Sequence, residues 1–567
     1  MKQASGPVPP PPKQHWQADN LASANRWAEH NLASAMKYMM EVTDAQHSRF
    51  TSNNQSLELM HAAAEEMTVS TSFTGTGGAE ASLRFTEMAL GHYTGKGFPA
   101  GRCVWGCEKN LECQYELLMQ PDLCGCVYDD ITGFIRQGFQ ARLRKRGQDM
   151  PYEKLRNIFA KEVMRLEAHC IRHNGPCTAC RASVHAAGTE CPDWSAQGTH
   201  HGPAGKRSLT WLCWLGLRRL LQEGIIYHEN VGEFSLQLSQ DELGDLYVIQ
   251  PSLSCIICPS LHGQAYERAR RLSIIIHKSL IVAPVARNLS LPSWQNFAKA
   301  SERTCKFDWR VYFRCDDAAV EASEIQWASN RPKIQEDALL PPSRRPDRSA
   351  LEESKFDRAL NDIELNWKGL YRLLMGTGFG VASLGQDPTT RPTCTNGKLA
   401  LYTIVKNPEI MYSLYHKRWM FPEEMPLVHN WPVDDLVIAE WDWVNSIEGL
   451  CSFSMDRDMF GFPPRKRNQR IAQIGNGMSL ACISLGWVFI WMVKAVLASN
   501  KCSVPQVDPT CDSVLVSSLI SEARRLRRLK GQPSSPPPKQ QRSSLLTVVD
   551  SEHTSTTADA GNVGPSV

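Results

Sequence analysis

The chain has 567 residues, enough for two or three domains and a sizeable core. Apolar residues make up 42%, charged residues 21%, and the net charge is +3, which excludes a disordered chain and leaves room only for a local nucleic-acid surface. Nineteen cysteines would suit a secreted disulfide framework, but Met1-Lys-Gln-Ala-Ser-Gly-Pro-Val8 and the proline run after it hold no apolar signal region, so reduced thiols in an intracellular compartment are expected.

Residues 1–20, rich in Pro and Gln, read as disordered. Residues 21–64 read as helical, a lead-in with a weak apolar face of Trp27, Leu32, Ala35, Met36 and Met39. Met67–Phe73 is β-branched and reads as a strand. It runs into Thr74-Gly-Thr-Gly-Gly78 and then a helix start at Ala79. Strand, glycine turn and helix open a nucleotide-binding α/β unit, because glycine lets the backbone approach a ligand in front of a helix N-terminus. A second strand, Arg102–Cys107, ends on Glu108, an acid placed to suit ribose hydroxyls. A third, within Cys124–Ile131, ends on Asp129 and Asp130, where a carboxylate can accept from an adenine amino group.

Residues 132–180 read as a basic helical segment closed by Cys170-x2-His173-x3-Cys177-x2-Cys180. That spacing is compact for zinc, and no second CxxC stands at knuckle distance. Free thiols in a loop, with no metal, are the expectation there, and zinc is the alternative. Arg181–Ala187 reads as a short buried strand, followed by a loop too rich in Gly and His to continue it. Cys191 therefore sits just past a strand's carboxyl end, where open α/β sheets hold ligands, and is a candidate nucleophile. Trp211–Glu223 reads as an amphipathic helix, and Ile225–Tyr227 as a buried strand with Glu229 at its end. Arg268 and Arg270, one residue apart at the start of an apolar strand, are expected to point to the same side. Residues 280–417 lose the strand–helix alternation. Met478–Ala498 is apolar and long enough to span a bilayer, although it carries Gly486 and Lys494. The basic run Arg524-Arg-Leu-Arg-Arg-Leu-Lys530 suits a solvated tail, a nuclear address or phosphate contact.

This order of motifs resembles the DNA (cytosine-5) methyltransferase family over about residues 67–498. Phe73-Thr-Gly-Thr-Gly-Gly78 is similar to its cofactor turn, Gly188-Thr-Glu-Cys-Pro-Asp-Trp-Ser195 to its nucleophile loop, Glu229-Asn-Val231 to its Glu-Asn-Val motif, and Arg268-Ala-Arg270 to its arginine pair. Arg418–Pro432 loosely resembles the penultimate motif, and Gln473-Ile-Gly-Asn-Gly-Met478 resembles the last. The resemblance implies a Rossmann-like, S-adenosylmethionine-dependent α/β fold with an irregular target-recognition domain inserted near its C-terminal end. It implies catalytic roles for Cys191, Glu229, Arg268 and Arg270, and cofactor contacts from Phe73, Gly75, Gly77, Gly78, Glu108, Asp130, Ile131 and Asn476. The expected divisions are a lead-in at 1–64, catalytic residues at 65–279, target recognition at 280–417, closing motifs and helix at 418–500, and a disordered basic tail at 501–567. Met478–Ala498 then becomes a buried helix, with no membrane role, and the expected partner is nuclear DNA.

The residue types suit that chemistry. A thiolate adding to carbon 6 of cytosine activates carbon 5, a carboxylic acid steadies ring nitrogen 3, and an arginine holds the carbonyl oxygen. The base must be flipped out of the stack. One departure stands out: Glu190 precedes the nucleophile where the family usually has Pro. It relaxes the loop and sets a negative charge beside the thiol, so a catalytically weak DNA-binding relic is an alternative. A tRNA cytosine methyltransferase is another.

Overall fold

The computed structural model describes residues 26–46, 53–96, 102–119, 124–146, 150–160, 163–195, 198–281, 292–305, 309–314, 381–383, 400–404, 411–413, 416, 418–421, 424–431 and 477–501. Two helices, α1 (Trp27–Gln46) and α2 (Asn53–Glu65), precede β1 (Thr68–Ser72), α3 (Gly78–Thr94), β2 (Arg102–Cys107), α4 (Leu111–Met119) and β3 (Cys126–Tyr128). Helices α5 (Gln137–Arg146) and α6 (Tyr152–Phe159) lead to a hairpin of β4 (Glu167–Cys170) and β5 (Gly175–Thr178). Then come β6 (Val184–Gly188), α7 (Ser208–Leu221), β7 (Ile225–Asn230), α8 (Leu236–Leu243), β8 (Tyr247–Val248), β9 (Ser254–Ile257), β10 (Arg270–His277) and α9 (Trp294–Ala300). After β11 (Val381–Ser383), β12 (Met411–Ser413), β13 (Arg418–Trp419) and α10 (Met425–Val428), helix α11 (Leu480–Lys501) closes the described chain.

Strands β1 to β10 form one sheet in the order β5-β4-β3-β2-β1-β6-β7-β10-β8, with β9 paired to β10. The run β3-β2-β1-β6-β7 is parallel, and β10 enters antiparallel beside β7. Strand order therefore reverses between β1 and β6, and the carboxyl ends on either side of that reversal frame a crevice.

The strands alternate between two apolar cores. Val184, Ala186, Ile225, Tyr227, Leu272, Ile274 and Ile276 face one core, and their neighbours Ala187, Ile226 and Ile275 face the other. The first core takes α1, α2, α3, α9 and α11; the second takes α6, α7 and the segment after β3. So α1 and α2 are structural parts of the fold, beyond the lead-in that their sequence suggested. Their buried stripe in α1 is Ala28, Asn31, Leu32, Ala35, Tyr38 and Met39, at helical spacing but half of it small or polar.

Among the described residues α11 alone is long and apolar enough to cross a membrane, and most of it is buried inside the protein. Asn31 donates to Ala481 O at 3.0 Å, Ser82 to Leu480 O at 2.8 Å, and Tyr227 Oη to Ile483 O at 3.1 Å. Within 280–417, α9 joins the first core through Trp294 and Phe297. A small antiparallel sheet, β11-β12-β13, shares a separate core with Trp309, Tyr312, Leu401 and Met420. Most of that stretch, Asn476 and the basic run at 524–530 lie outside the described residues.

Candidate active site

Five strand ends meet at the crevice. After β1 the chain turns through Phe73, whose φ of 58° is unusual for a residue with a side chain, then Gly75 and Gly77 at φ 62° and 87°. Only glycine takes the left-handed region at low cost, so the two glycines make the turn, and Phe73 carries strain of the kind that gathers at functional sites. The Gly75 N–H donates to Glu108 Oε2 at 3.0 Å, and the Asn110 N–H to Glu108 Oε1 at 2.8 Å. At the next strand end, Asp130 Oδ1 accepts from the Thr132 N–H at 2.8 Å, and its other oxygen faces Lys109 Nζ at 3.6 Å. Ile131 is buried in the second core.

Burial raises the Glu108 carboxyl from 4.5 to about 7; backbone N–H donors pull it down, and the Glu190 charge pushes it up. A folded-state value above the ordinary one means that the native state binds the extra proton. Its stabilising effect is complete below 4.5 and lost as pH rises through about 7. Glu108→Gln is expected to flatten this dependence, so that its stability falls by up to about 3 kcal/mol less than the wild type's between pH 5 and pH 8. Urea unfolding of both proteins at the two pH values checks it.

The other half of the crevice is built by register. Strands β6 and β7 run parallel with Gly188 opposite Glu229, so Cys191 leaves β6 beside that carboxylate. A Cβ on Gly188 would meet Glu229 Oε2 at 3.1 Å and Phe73 O at 3.1 Å, and would overlap the Met478 methyl. The glycine turn, the nucleophile loop, Glu229 and the segment before α11 therefore converge on one point. Antiparallel β10 sets Leu272 opposite Glu229, which brings Arg270 to the same end. Arg270 Nε lies 3.1 Å from Glu229 Oε1, both partly buried.

The Cys191 thiol is within the field of these groups. Burial pushes it up, Arg270 pulls it down, Glu229 pushes it up and Arg268 pulls it down. Burial wins, so the thiol rather than the thiolate is the resting form.

The two arginines make different contacts, although both lie in the field of the Cys191 thiol. Strand β10 begins at Arg270, so strand alternation does not extend back to Arg268. Arg268 instead donates from Nη1 to Ile404 O at 3.1 Å and from Nη2 to Gly477 O at 2.8 Å. It straps two distant segments over the site, while Arg270 is the arginine at the carboxylate.

Glu190 also departs from the concern that its sequence raised. Its Oε2 lies 2.8 Å from Arg207 Nε. Arg207 further binds Asp193, through its backbone N–H at 3.0 Å and its Nη1 at 3.3 Å. This clasp restrains the loop where a proline is missing. From the other side, Asn230 Nδ2 donates to Thr189 Oγ1 at 2.8 Å, and Thr189 Oγ1 meets His228 Nε2 at 2.6 Å. Burial lowers His228 to about 3, so this anchor stays uncharged at neutral pH. Arg207 and His228 belong to no motif, and nothing in their spacing announced them.

No protein-family model matches the chain, and no curated protein matches it. Solved structures similar to it include the Entamoeba histolytica methyltransferase EhMeth, at 11% identity and TM-score 0.35 over 75% of this chain and 98% of that one. The S. pombe Dnmt2 methyltransferase is similar at 10% identity and TM-score 0.33, over 75% and 98%. A putative DNA modification methyltransferase from an E. coli prophage is similar at 14% identity and TM-score 0.32, over 76% and 98%. Likeness this shallow adds nothing to the geometry above. By its own sheet order, with the turn and acids at the strand ends, the chain has a Rossmann-like α/β fold in which one antiparallel strand, β10, stands beside β7.

Proposed function

We propose that the chain is a DNA cytosine-5 methyltransferase acting on a base flipped from the duplex, with S-adenosylmethionine as methyl donor. The observation that carries the reading is the Cys191 thiol held beside the Glu229–Arg270 pair, at the carboxyl ends of β6 and β7. The donor supplies an electrophilic methyl group when bound. Phe73, Gly75, Gly77, Glu108 and Asp130 are suited to hold it, and Asn476 and Gly78 complete the set by resemblance. The fit is chemical: Glu108 accepts one backbone N–H on each oxygen and keeps lone pairs for two hydroxyls.

In this reading Cys191 loses its proton and its sulfur adds to carbon 6 of cytosine. Glu229 holds ring nitrogen 3 and stabilises the enamine, and Arg270 orients the base through its carbonyl oxygen. Arg268 is a positioning residue. After methylation, loss of the carbon 5 proton and departure of the thiolate restore the ring. Residues 280–417 supply the recognition surface, and the basic run at 524–530 the nuclear address.

Tritiated S-adenosylmethionine offered with duplex DNA, with tRNA, or with both in competition tests this. Label in DNA cytosine is the expected result. Label confined to tRNA overturns the substrate, and label in neither, with DNA bound, overturns the reaction. Because Glu190 is clasped by Arg207 and one-third exposed, Glu190→Gln is expected to change the rate by less than about fivefold. Initial rates under saturating donor read this directly.

A further inference from the structure

The zinc-like spacing in the sequence runs from Cys170 to Cys180, but the fold assembles a different set. Cys126 at the start of β3, Cys170 at the end of β4, His173 in the turn and Cys177 in β5 bring their ligating atoms within 4.8 Å of one another. His173 Nδ1 lies 3.6 Å from Cys126 Sγ, 3.4 Å from Cys170 Sγ and 3.3 Å from Cys177 Sγ. A tetrahedral zinc ion, with bonds of about 2.3 Å to sulfur and 2.05 Å to nitrogen, sets sulfur and nitrogen about 3.6 Å apart. Cys180 is outside the cluster, and its carbonyl accepts from Trp105 Nε1 at 2.8 Å.

We propose that Cys126, Cys170, His173 and Cys177 form a structural zinc site. Four protein ligands close the coordination sphere and leave no position for water or substrate. Binding releases one proton from each of the three thiols to solvent and leaves the site with a net charge of −1.

The fold gives the metal a task. Hairpin β4–β5 has two strands of four residues each and meets β3 at one register pair, Tyr128 with Cys170. A hairpin that short is marginal alone. Its turn passes through Asn174 at φ 49°, which folds His173 back over the strand ends. The Ile171 N–H donates to Val127 O at 2.7 Å, so the hairpin lies in line with β3. A metal joining Cys126 to the hairpin fixes the outer edge of the sheet. It does so three strands from β6, a lateral separation of about 14 Å across the sheet, and so apart from the chemistry.

The test uses the full chain purified without chelator or affinity metal. Elemental analysis is expected to find a single zinc ion per chain. Cobalt exchange is expected to give the visible bands of a tetrahedral site and the charge-transfer band of thiolate ligands. Cys126→Ser, Cys177→Ser and His173→Ala are each expected to weaken zinc binding by more than about 100-fold, since even outer partners of a metal ligand are worth about 10- to 100-fold. Cys180→Ser is expected to keep the metal. No zinc and no cobalt bands in the wild-type chain would overturn the site, whatever the variants do. So would metal loss in Cys180→Ser with retention in Cys126→Ser. A disulfide between any two of the three cysteines, seen by mass after alkylation without reduction, would overturn it as well.

Discussion

Replacing Cys191 with alanine is expected to lower methyl transfer by on the order of 10³-fold or more, because Cys191 is the thiol in the field of Glu229 and Arg270. The loss should fall on kcat, with affinity for S-adenosylmethionine unchanged, since the donor's proposed contacts come from β1, β2 and β3. DNA carrying 5-fluorocytosine is expected to trap the wild-type protein as a covalent adduct stable to denaturation, and to leave the variant free. The resting thiol also sets the pH profile. Burial raises the thiol, so the thiolate fraction, and with it the rate, grows as pH rises above neutral. Arg270 opposes burial, so Arg270→Met should move that limb to higher pH. An adduct that forms equally well in the Cys191→Ala variant would sink the assignment.

Glu229→Gln is expected to cost about 10²- to 10⁴-fold in kcat. Glutamine keeps the shape that Gly188 packs against, so the loop is preserved. It cannot take up the proton that a carboxyl shares with ring nitrogen 3 in the adduct, and it loses the ion pair made with Arg270 at 3.1 Å. Single-turnover rates with pre-bound DNA separate this from weaker binding. If kcat is unchanged and only DNA affinity falls, Glu229 serves the base's position and not the reaction.

Much of this site is legible in the chain because sheet-edge chemistry follows strand periodicity. The strands ending on Glu108, Asp130 and Glu229 read directly, as does the glycine turn after Ser72. What does not read is partnership across the sheet. Arg268 and Arg270 look equivalent until the first residue of β10 is known: Arg270 opens the strand and pairs with Glu229, while Arg268 lies before it. The hairpin at 167–178 is hidden because Cys, His, Gly and Pro interrupt any alternation. The metal set is hidden further, since Cys126 comes from a strand far back in the chain while Cys180 stands at the more obvious spacing. Glu190 reads as a liability because Arg207, its partner, belongs to no pattern. The α1 stripe is faint because alanine and asparagine occupy half of it.

The order of synthesis gives α11 a consequence of its own. This helix lies against α1, α2 and α3, yet it leaves the ribosome last of the described elements. At about 5–20 residues per second, the nearly 400 residues between Thr94 and Leu480 take roughly 20 to 80 seconds to translate. Throughout that time the parts of α1, α2 and α3 that pack on α11 lack their partner. A chain truncated before α11 is expected to leave those apolar faces exposed and to aggregate.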